Sequence, residues 1–375
     1  MVALNDFLCE IAKPTGLWAI ILEWIESFTS NFGWTIILFT ILIKLAMLPL
    51  DFYNRYSTRK NTLIQKRLAP QIAKINQKYK NNNTLANQQA SALYQKEGYN
   101  VMGSCLFMLI NLVLTMVIFF TIFDSLREMS TYKMLTEYQT LEITYDQALT
   151  ESGGNVEYAQ NQTVLKYDEI RENSEFLWIK SIWRKDTSNS VIPTYKELGK
   201  EIKTSENKTY TEYYNSISEE KYAAVTAGLN TKYDSWNGYY ILGILALGVS
   251  FLSQYISDLA NKTKKEKNVN MADPAQASMK FMKILLPAIM LIFTITNTAS
   301  FGIYIIISSV MGILTTLVCN IFVKKFTKTE EEKYNAFLEK YIQQQAKVKQ
   351  QEQTMKTYKN LGDKLWNQSK YQEKP

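Results

Sequence analysis

Apolar residues in this chain gather into long runs instead of recurring at amphipathic spacing, a pattern that reads as helices crossing a bilayer. Five such spans are predicted: Trp34 to Leu50, Val101 to Phe123, Tyr239 to Tyr255, Phe281 to Thr296 and Phe301 to Val323. Pro49 is expected to end the first. Residues 51–100 are polar but carry Leu68, Ile72, Ile75 and Tyr79 at helical spacing. Asn81 to Asn83 reads as a turn, Thr84 as an N-cap and Gly98 as a stop, so this stretch predicts a cytoplasmic helical hairpin. Residues 124–236 hold no long apolar run and are rich in tyrosine and charge. They read as a small, mostly helical extracytoplasmic domain. In the N-terminal segment 1–33, the stretch 17–28 is too short to span. Glu23 and Glu26 lie close together on its wheel, away from Trp18, Ile21, Leu22 and Ile25, which predicts an interfacial helix, a short buried helix being the alternative. A basic loop fills 256–280, Asn297 to Ser300 make a tight turn, and 324–375 form a basic tail. In the tail, Thr329 to Glu332 resemble a capping box and Tyr334, Phe337, Leu338, Tyr341 and Ile342 form a stripe. The last thirty or so residues are expected to lack fixed structure. The fold class is an all-α integral membrane protein with five transmembrane helices.

Charge orients these elements. The formal net charge is +7, yet 51–103, 258–280 and 323–375 together carry +14 while 1–33 and 124–236 carry −9. Both short connecting segments are basic on the same side, which places them in the cytoplasm, with the N-terminus outside and the C-terminus inside. The absence of histidine excludes a Ser-His-Asp triad and an HExxH zinc site. Cys9, Cys105 and Cys319 share no metal-ligand spacing. No aspartate or glutamate falls within a predicted span, so intramembrane aspartyl proteolysis and a carboxylate proton relay lack support. A Walker A motif is also missing. The chain is read as a non-enzyme needing no cofactor or metal.

One residue stands out within a span. Lys44 lies in WTIILFTILIKLAMLPL, where an ammonium costs on the order of 3 kcal/mol or more. Snorkelling toward the headgroups is the plain alternative, and it fits Lys283 at the start of the fourth span. Other polar residues accompany Lys44: Thr40 one turn away, Asn111 in the second span, Ser250, Ser253 and Gln254 in the third, and Ser308 and Ser309 in the fifth. Each singly reads as interhelical glue. Together they can line a wet cavity open to the cytosol. Such a cavity would shorten the apolar path for a polar stretch of another protein, while its charge attracts acidic residues. Three predicted spans are also short: 16–17 residues cover roughly 25 Å, against a hydrocarbon core of about 30 Å.

These residues resemble a known family. TIILFTILIKLAMLPLDF is similar to the first core span of the YidC–Oxa–Alb insertases. Leu68-Ala69-Pro70 through Tyr79 and Leu93 through Asn100 resemble that family's cytoplasmic hairpin. NVMGSCLFMLINL resembles its second-span segment, FLWIKSIW (176–183) the outside stretch of Gram-positive members, and the turn before Gly302-Ile303-Tyr304 the entry to its last span. The resemblance implies a multi-pass protein of the bacterial cytoplasmic membrane that helps other proteins insert and fold there without nucleotide hydrolysis. Its implied partners are nascent membrane-protein clients, the lipid bilayer, the ribosome through the basic tail, and the Sec translocon. Its groove would include Lys44, Thr40, Asn111, Ser250, Gln254, Tyr304 and Ser308. The chain departs from the pattern where the family usually has arginine at position 44, prolines near 101, 107 and 113, and glutamine at 111. A membrane-anchored envelope scaffold and a transporter or channel are the competing readings. The first leaves Lys44 unexplained, and the second lacks repeats and several pore-lining charges.

Overall fold

The computed structural model describes residues 11–99, 101–205, 207–261 and 276–372. Among these the architecture is all-helical, with two isolated β-bridges and no sheet. The helices are α1 (Leu17–Thr29), α2 (Phe32–Lys78), α3 (Asn83–Lys96), α4 (Val101–Glu151), α5 (Val156–Ile170), α6 (Tyr195–Ser205), α7 (Lys208–Ser216), α8 (Glu219–Lys232), α9 (Ile241–Asn261), α10 (Gln276–Thr296), α11 (Ala299–Phe326) and α12 (Lys328–Gln372). Among the described residues four helical stretches are long and apolar enough to cross a membrane: Phe32–Lys78, Leu109–Glu151, Ile241–Leu259 and Ala299–Phe326. The described apolar stretch of α10, Ile284–Thr296, is shorter. Most of the expected basic loop at 256–280 and the side chain of Lys283 lie outside the described residues.

Several predicted boundaries move, each for a local reason. Pro49 does not end the first helix, because α2 runs through Pro49 and Pro70 to Lys78. Leu, Lys, Gln, Arg and Ala on either side favour helix strongly enough to outweigh the single N–H bond that each proline removes. Likewise α4 passes Phe123 without a break. No glycine or proline separates Gly103 from Gly153, and the helix stops where Gly153 and Gly154 take φ of 66° and 98°. The third span begins at Ile241 and not Tyr239, since Tyr239 and Tyr240 hold φ of 61° and 64°. Asn82, not Thr84, caps α3, accepting the Leu85 N–H at 3.0 Å. Gly98 does follow α3 with φ 76°. Instead of a capping box at 329–332, the Thr327 carbonyl takes the Glu331 N–H at 3.0 Å. The tail is helical to Gln372. Its Gln, Lys and Glu are strong helix formers, and Gly362 is the only breaker between 328 and 372.

The chain divides into two compact units. The first comprises Met1–Leu50, Ile110–Ala260 and Asp273–Leu317. Its core joins Leu22 and Ile25 of α1, Phe32, Ile36 and Phe39 of α2, Ile122 and Leu126 of α4, and Phe301 of α11, all buried. Phe119 and Phe123 meet Phe293 and Phe301 edge to face, at centroid distances of 4.7 to 6.0 Å. Helix α1 turns Ala19, Leu22 and Ile25 inward and leaves Leu17, Ile20, Trp24 and Phe28 exposed. Its glutamates do not form a free polar face, because Glu23 pairs with Lys13 at 2.9 Å and Glu26 with Lys133 at 2.6 Å.

Tyrosine builds the rest of this unit. Tyr138 stacks on Tyr222 at 4.8 Å and Tyr195 on Tyr214 at 4.5 Å. Tyr213 donates to Glu142 (2.8 Å), Tyr222 to the Pro193 carbonyl (2.7 Å) and Tyr195 to the Ile217 carbonyl (2.9 Å). Each ring supplies apolar area, and the hydroxyls of Tyr195, Tyr213, Tyr214 and Tyr222 find partners, while that of Tyr138 is buried without one among the described residues. A segment without an apolar run can thus form a core.

The second unit comprises Asp51–Leu109, Asn261–Ala272 and Val318–Pro375. Leu63 packs with Tyr334 and Leu338, and Ile64 and Leu68 pack with Tyr99. Buried Arg59 donates to Glu331 at 3.0 Å and to Thr327 Oγ1 at 3.2 Å. Arg67 reaches Glu97 at 2.6 Å and lies 3.8 Å from Glu330.

Candidate functional site

All seven residues singled out by sequence fall in the first unit: Thr40 and Lys44 on α2, Asn111 on α4, Ser250 and Gln254 on α9, and Tyr304 and Ser308 on α11. Six of them form pairs four residues apart, so each pair shares one face of its helix. Thr40 is fully buried and donates to its own helix at the Ile36 carbonyl, 2.7 Å away. Lys44, one turn on, is half-buried. Tyr304 is buried and hydrogen-bonded to Ser308. Asn111 is half-buried, and its backbone carbonyl accepts the Thr115 hydroxyl at 2.8 Å.

The α9 pair differs from the others. Ser250 is buried, and neither Ser250 Oγ nor Gln254 Oε1 has a hydrogen-bond partner among the described residues. Leaving such groups unsatisfied costs about 1–3 kcal/mol each. At 100° per residue, the pair points away from the exposed stripe Ile244, Leu252, Tyr255 and Leu259. The same geometry separates Thr40 and Lys44 from exposed Leu38, Leu42 and Leu45. Each helix therefore sets one polar pair on the side turned from its exposed apolar stripe, beside buried apolar residues such as Ile36 on α2 and Ala246 on α9.

A segment whose role the sequence reading missed holds these helices by their ends. The Ile182 and Arg184 carbonyls accept the Ser300 and Ala299 N–H groups at 2.9 and 2.7 Å, satisfying the start of α11. Thr187 Oγ1 donates to the Ile295 carbonyl in the last turn of α10 at 3.2 Å. Asp186, fully buried, accepts the Leu242 N–H at the start of α9 at 3.1 Å. Burial pushes its carboxyl up to about 6, against the opposing pull of the Leu242 and Gly243 N–H groups. Asn237 locks the segment, accepting from Ser181 N–H and donating to the Ser181 and Lys185 carbonyls at 2.8 to 3.0 Å. A Cβ at Gly238 would overlap the Asp186 carboxylate, and one at Gly33 would overlap the Phe176 ring. Beneath the segment, burial raises Glu137 to about 7, although Trp183 Nε1 donates to it at 2.7 Å and Lys133 stands near. The available signal was a carboxylate among aromatics in FLWIKSIWRKD, with Asn-Gly just before a span. Among the described residues no group of three or more Cys, Asp or Glu could hold a metal ion.

Several helices long and apolar enough to cross a membrane, two of them with a polar pair on the covered side, mark a multi-pass membrane protein. The profile of the 60Kd inner membrane protein family matches residues 24–330, and the chain belongs to that family. Among its relatives, the membrane protein insertase YidC of Wolinella succinogenes is 35% identical over 117 residues, covering 31% of this chain and 20% of the relative. The protein of that name from Fusobacterium nucleatum is 35% identical over 101 residues, covering 27% of this chain and 47% of its own length. That of Thermotoga maritima is 35% identical over 95 residues, covering 25% and 20%. The matched part therefore spans between a fifth and about half of these relatives.

Proposed function

We propose that this chain is a membrane protein insertase and chaperone, working through a hydrophilic groove centred on Lys44 without nucleotide hydrolysis. The observation that carries the reading is a polar pair on the covered side of each of two spans. Lys44 sits one turn from Thr40 on α2, and Ser250 and Gln254 hold unpartnered buried oxygens on α9. A polar stretch of a client, or water ahead of it, satisfies those oxygens, and the lysine attracts acidic residues. The client's own apolar helix then leaves into lipid, driven by transfer at about 25 cal/mol per Å². Family membership and the names of the relatives support the same activity. Five crossings, with the N-terminus outside and the hairpin and tail in the cytoplasm, agree with the basic short segments. Residues 176–183 favour a Gram-positive-type member with 124–236 outside. Nascent membrane proteins are the clients, with the bilayer as solvent. The ribosome would meet the basic tail, and the Sec translocon is a further partner.

Complementation of an insertase-depleted strain tests this. Wild type is expected to restore insertion of clients with charged translocated stretches, Lys44→Ala to lose most of it, and Lys44→Glu to lose more. Equal rescue by all three contradicts the groove.

A further inference from the structure

We propose that Leu177, Trp236, Tyr239 and Tyr240 form a row, continued by Trp34, that anchors the segment around 176–187 in the interfacial layer of the bilayer where α9 begins. This rests on the reading that α2 and α9 cross the membrane. The side chains are exposed where apolar groups should be covered: Leu177 at 75%, Tyr239 at 53%, Tyr240 at 46%, Trp236 at 42% and Trp34 at 54%. Backbone conformation adds an independent sign. Leu177, Tyr239 and Tyr240 hold φ of 56°, 61° and 64°, three of the four positive-φ residues other than glycine among those described. Leu177 caps a two-residue turn in which Phe176 and Ile179 exchange both backbone hydrogen bonds at 2.9 Å. Glycine suits the first position of such a turn. A leucine held there in strain, with three-quarters of its surface exposed, needs a favourable environment beyond the protein.

Contacts tie the row together on a rigid base. Trp34 meets Phe176 edge-on at 5.5 Å, and Trp236 tilts against Tyr240 at 5.7 Å. Lys180 N–H reaches the Asn237 carbonyl at 3.2 Å, while its Nζ donates to Ser235 at 2.8 Å and lies 5.9 Å from the Tyr239 ring. Tryptophan and tyrosine favour the headgroup level, and a lysine beside them suits lipid phosphate. Continuity selects the occupant. Tyr240 directly precedes Ile241, the first residue of α9, and Ile244 one turn on is 67% exposed. Trp34 stands in the first turn of α2. The row therefore continues the surface that two spans present to lipid, and the bilayer covers it.

The test uses full-length protein in phosphatidylethanolamine–phosphatidylglycerol vesicles, with an environment-sensitive fluorophore on Leu177→Cys or Tyr240→Cys. Ile244→Cys reports the span and Leu165→Cys, exposed on α5, reports water. Labelling of the unsubstituted chain is subtracted. Both test positions are expected to emit blue-shifted light, quenched by headgroup-proximal nitroxide lipid and spared by iodide. Quenching at 177 and 240 by iodide, as at 165, overturns the proposal while Ile244 still confirms the crossing. Shielding from both quenchers points to a second copy or another protein and also overturns it. Failure of lipid quenching at Ile244 removes the crossing itself.

Discussion

Asp186 is a carboxylate that the fold keeps partly against its charge. It caps α9 from 56 positions earlier in the chain, and its burial outweighs the attraction of the helix N-terminus. Its folded value of about 6 lies above the ordinary 3.8, so the native state holds the proton more tightly than the unfolded chain does. Stability from this group is therefore greatest at low pH, falls as pH rises through the interval between those values, and levels off above it. Asp186→Asn keeps an acceptor for Leu242 and removes the charge. It should raise melting stability at neutral pH by on the order of 2 kcal/mol and change little near pH 4. Thermal melts of the purified protein at both pH values check this, and a gain equal at both would refute it. Glu137, raised to about 7 by burial, leaves a residual slope of the same sign. Lys44 was legible in sequence because a charge in an apolar run is conspicuous. Asp186 was not, because a carboxylate after FLWIKSIWRK hints at burial but does not tell that its partner is the end of a helix 56 positions on.

Among the elements, hydrophobic runs located the apolar crossings, but helix ends obeyed finer chemistry. Pro49 was overruled by good helix formers around it. The continuous path of α4 past Phe123 follows from the absence of any breaker before Gly153. The last thirty or so residues of the tail read as unstructured from their Gln- and Lys-rich composition, whereas the stripe from Tyr334 to Ile342 marked its first turns as helical without saying where they dock. Those turns are held by Arg59 to Glu331 and Thr327, and by Leu63 against Tyr334 and Leu338. Arg59 is 5% exposed, so Arg59→Ala leaves Glu331 without its donor and should weaken this junction by on the order of 2 kcal/mol. Limited trypsin digestion reads it out: cleavage at Lys333 and Lys340 should accelerate several-fold, with Arg59→Lys intermediate. Unchanged cleavage would mean that the apolar contacts alone hold α12.

For the whole molecule, sequence pattern revealed the class and picked out the polar residues of the spans but not how the helices that carry them are fixed. Residues 124–236 read as a tyrosine-rich, charged domain of no evident purpose. Part of it, the 182–187 stretch, closes the ends of α9, α10 and α11; α9 and α11 bear four of the seven residues proposed to line the groove. Exposed backbone ends are costly beside lipid, so this stretch sets the register on which Ser250, Gln254, Tyr304 and Ser308 depend. Water access to the inner face of α9 tests the groove most directly. In a background with serine at positions 9, 105 and 319, Ser250→Cys and Gln254→Cys in native membranes should react with a small water-soluble thiol reagent far faster than Leu252→Cys on the exposed apolar face. If Ser250→Cys and Gln254→Cys prove as inert as Leu252→Cys, the inner face is dry and no polar client segment can pass along it.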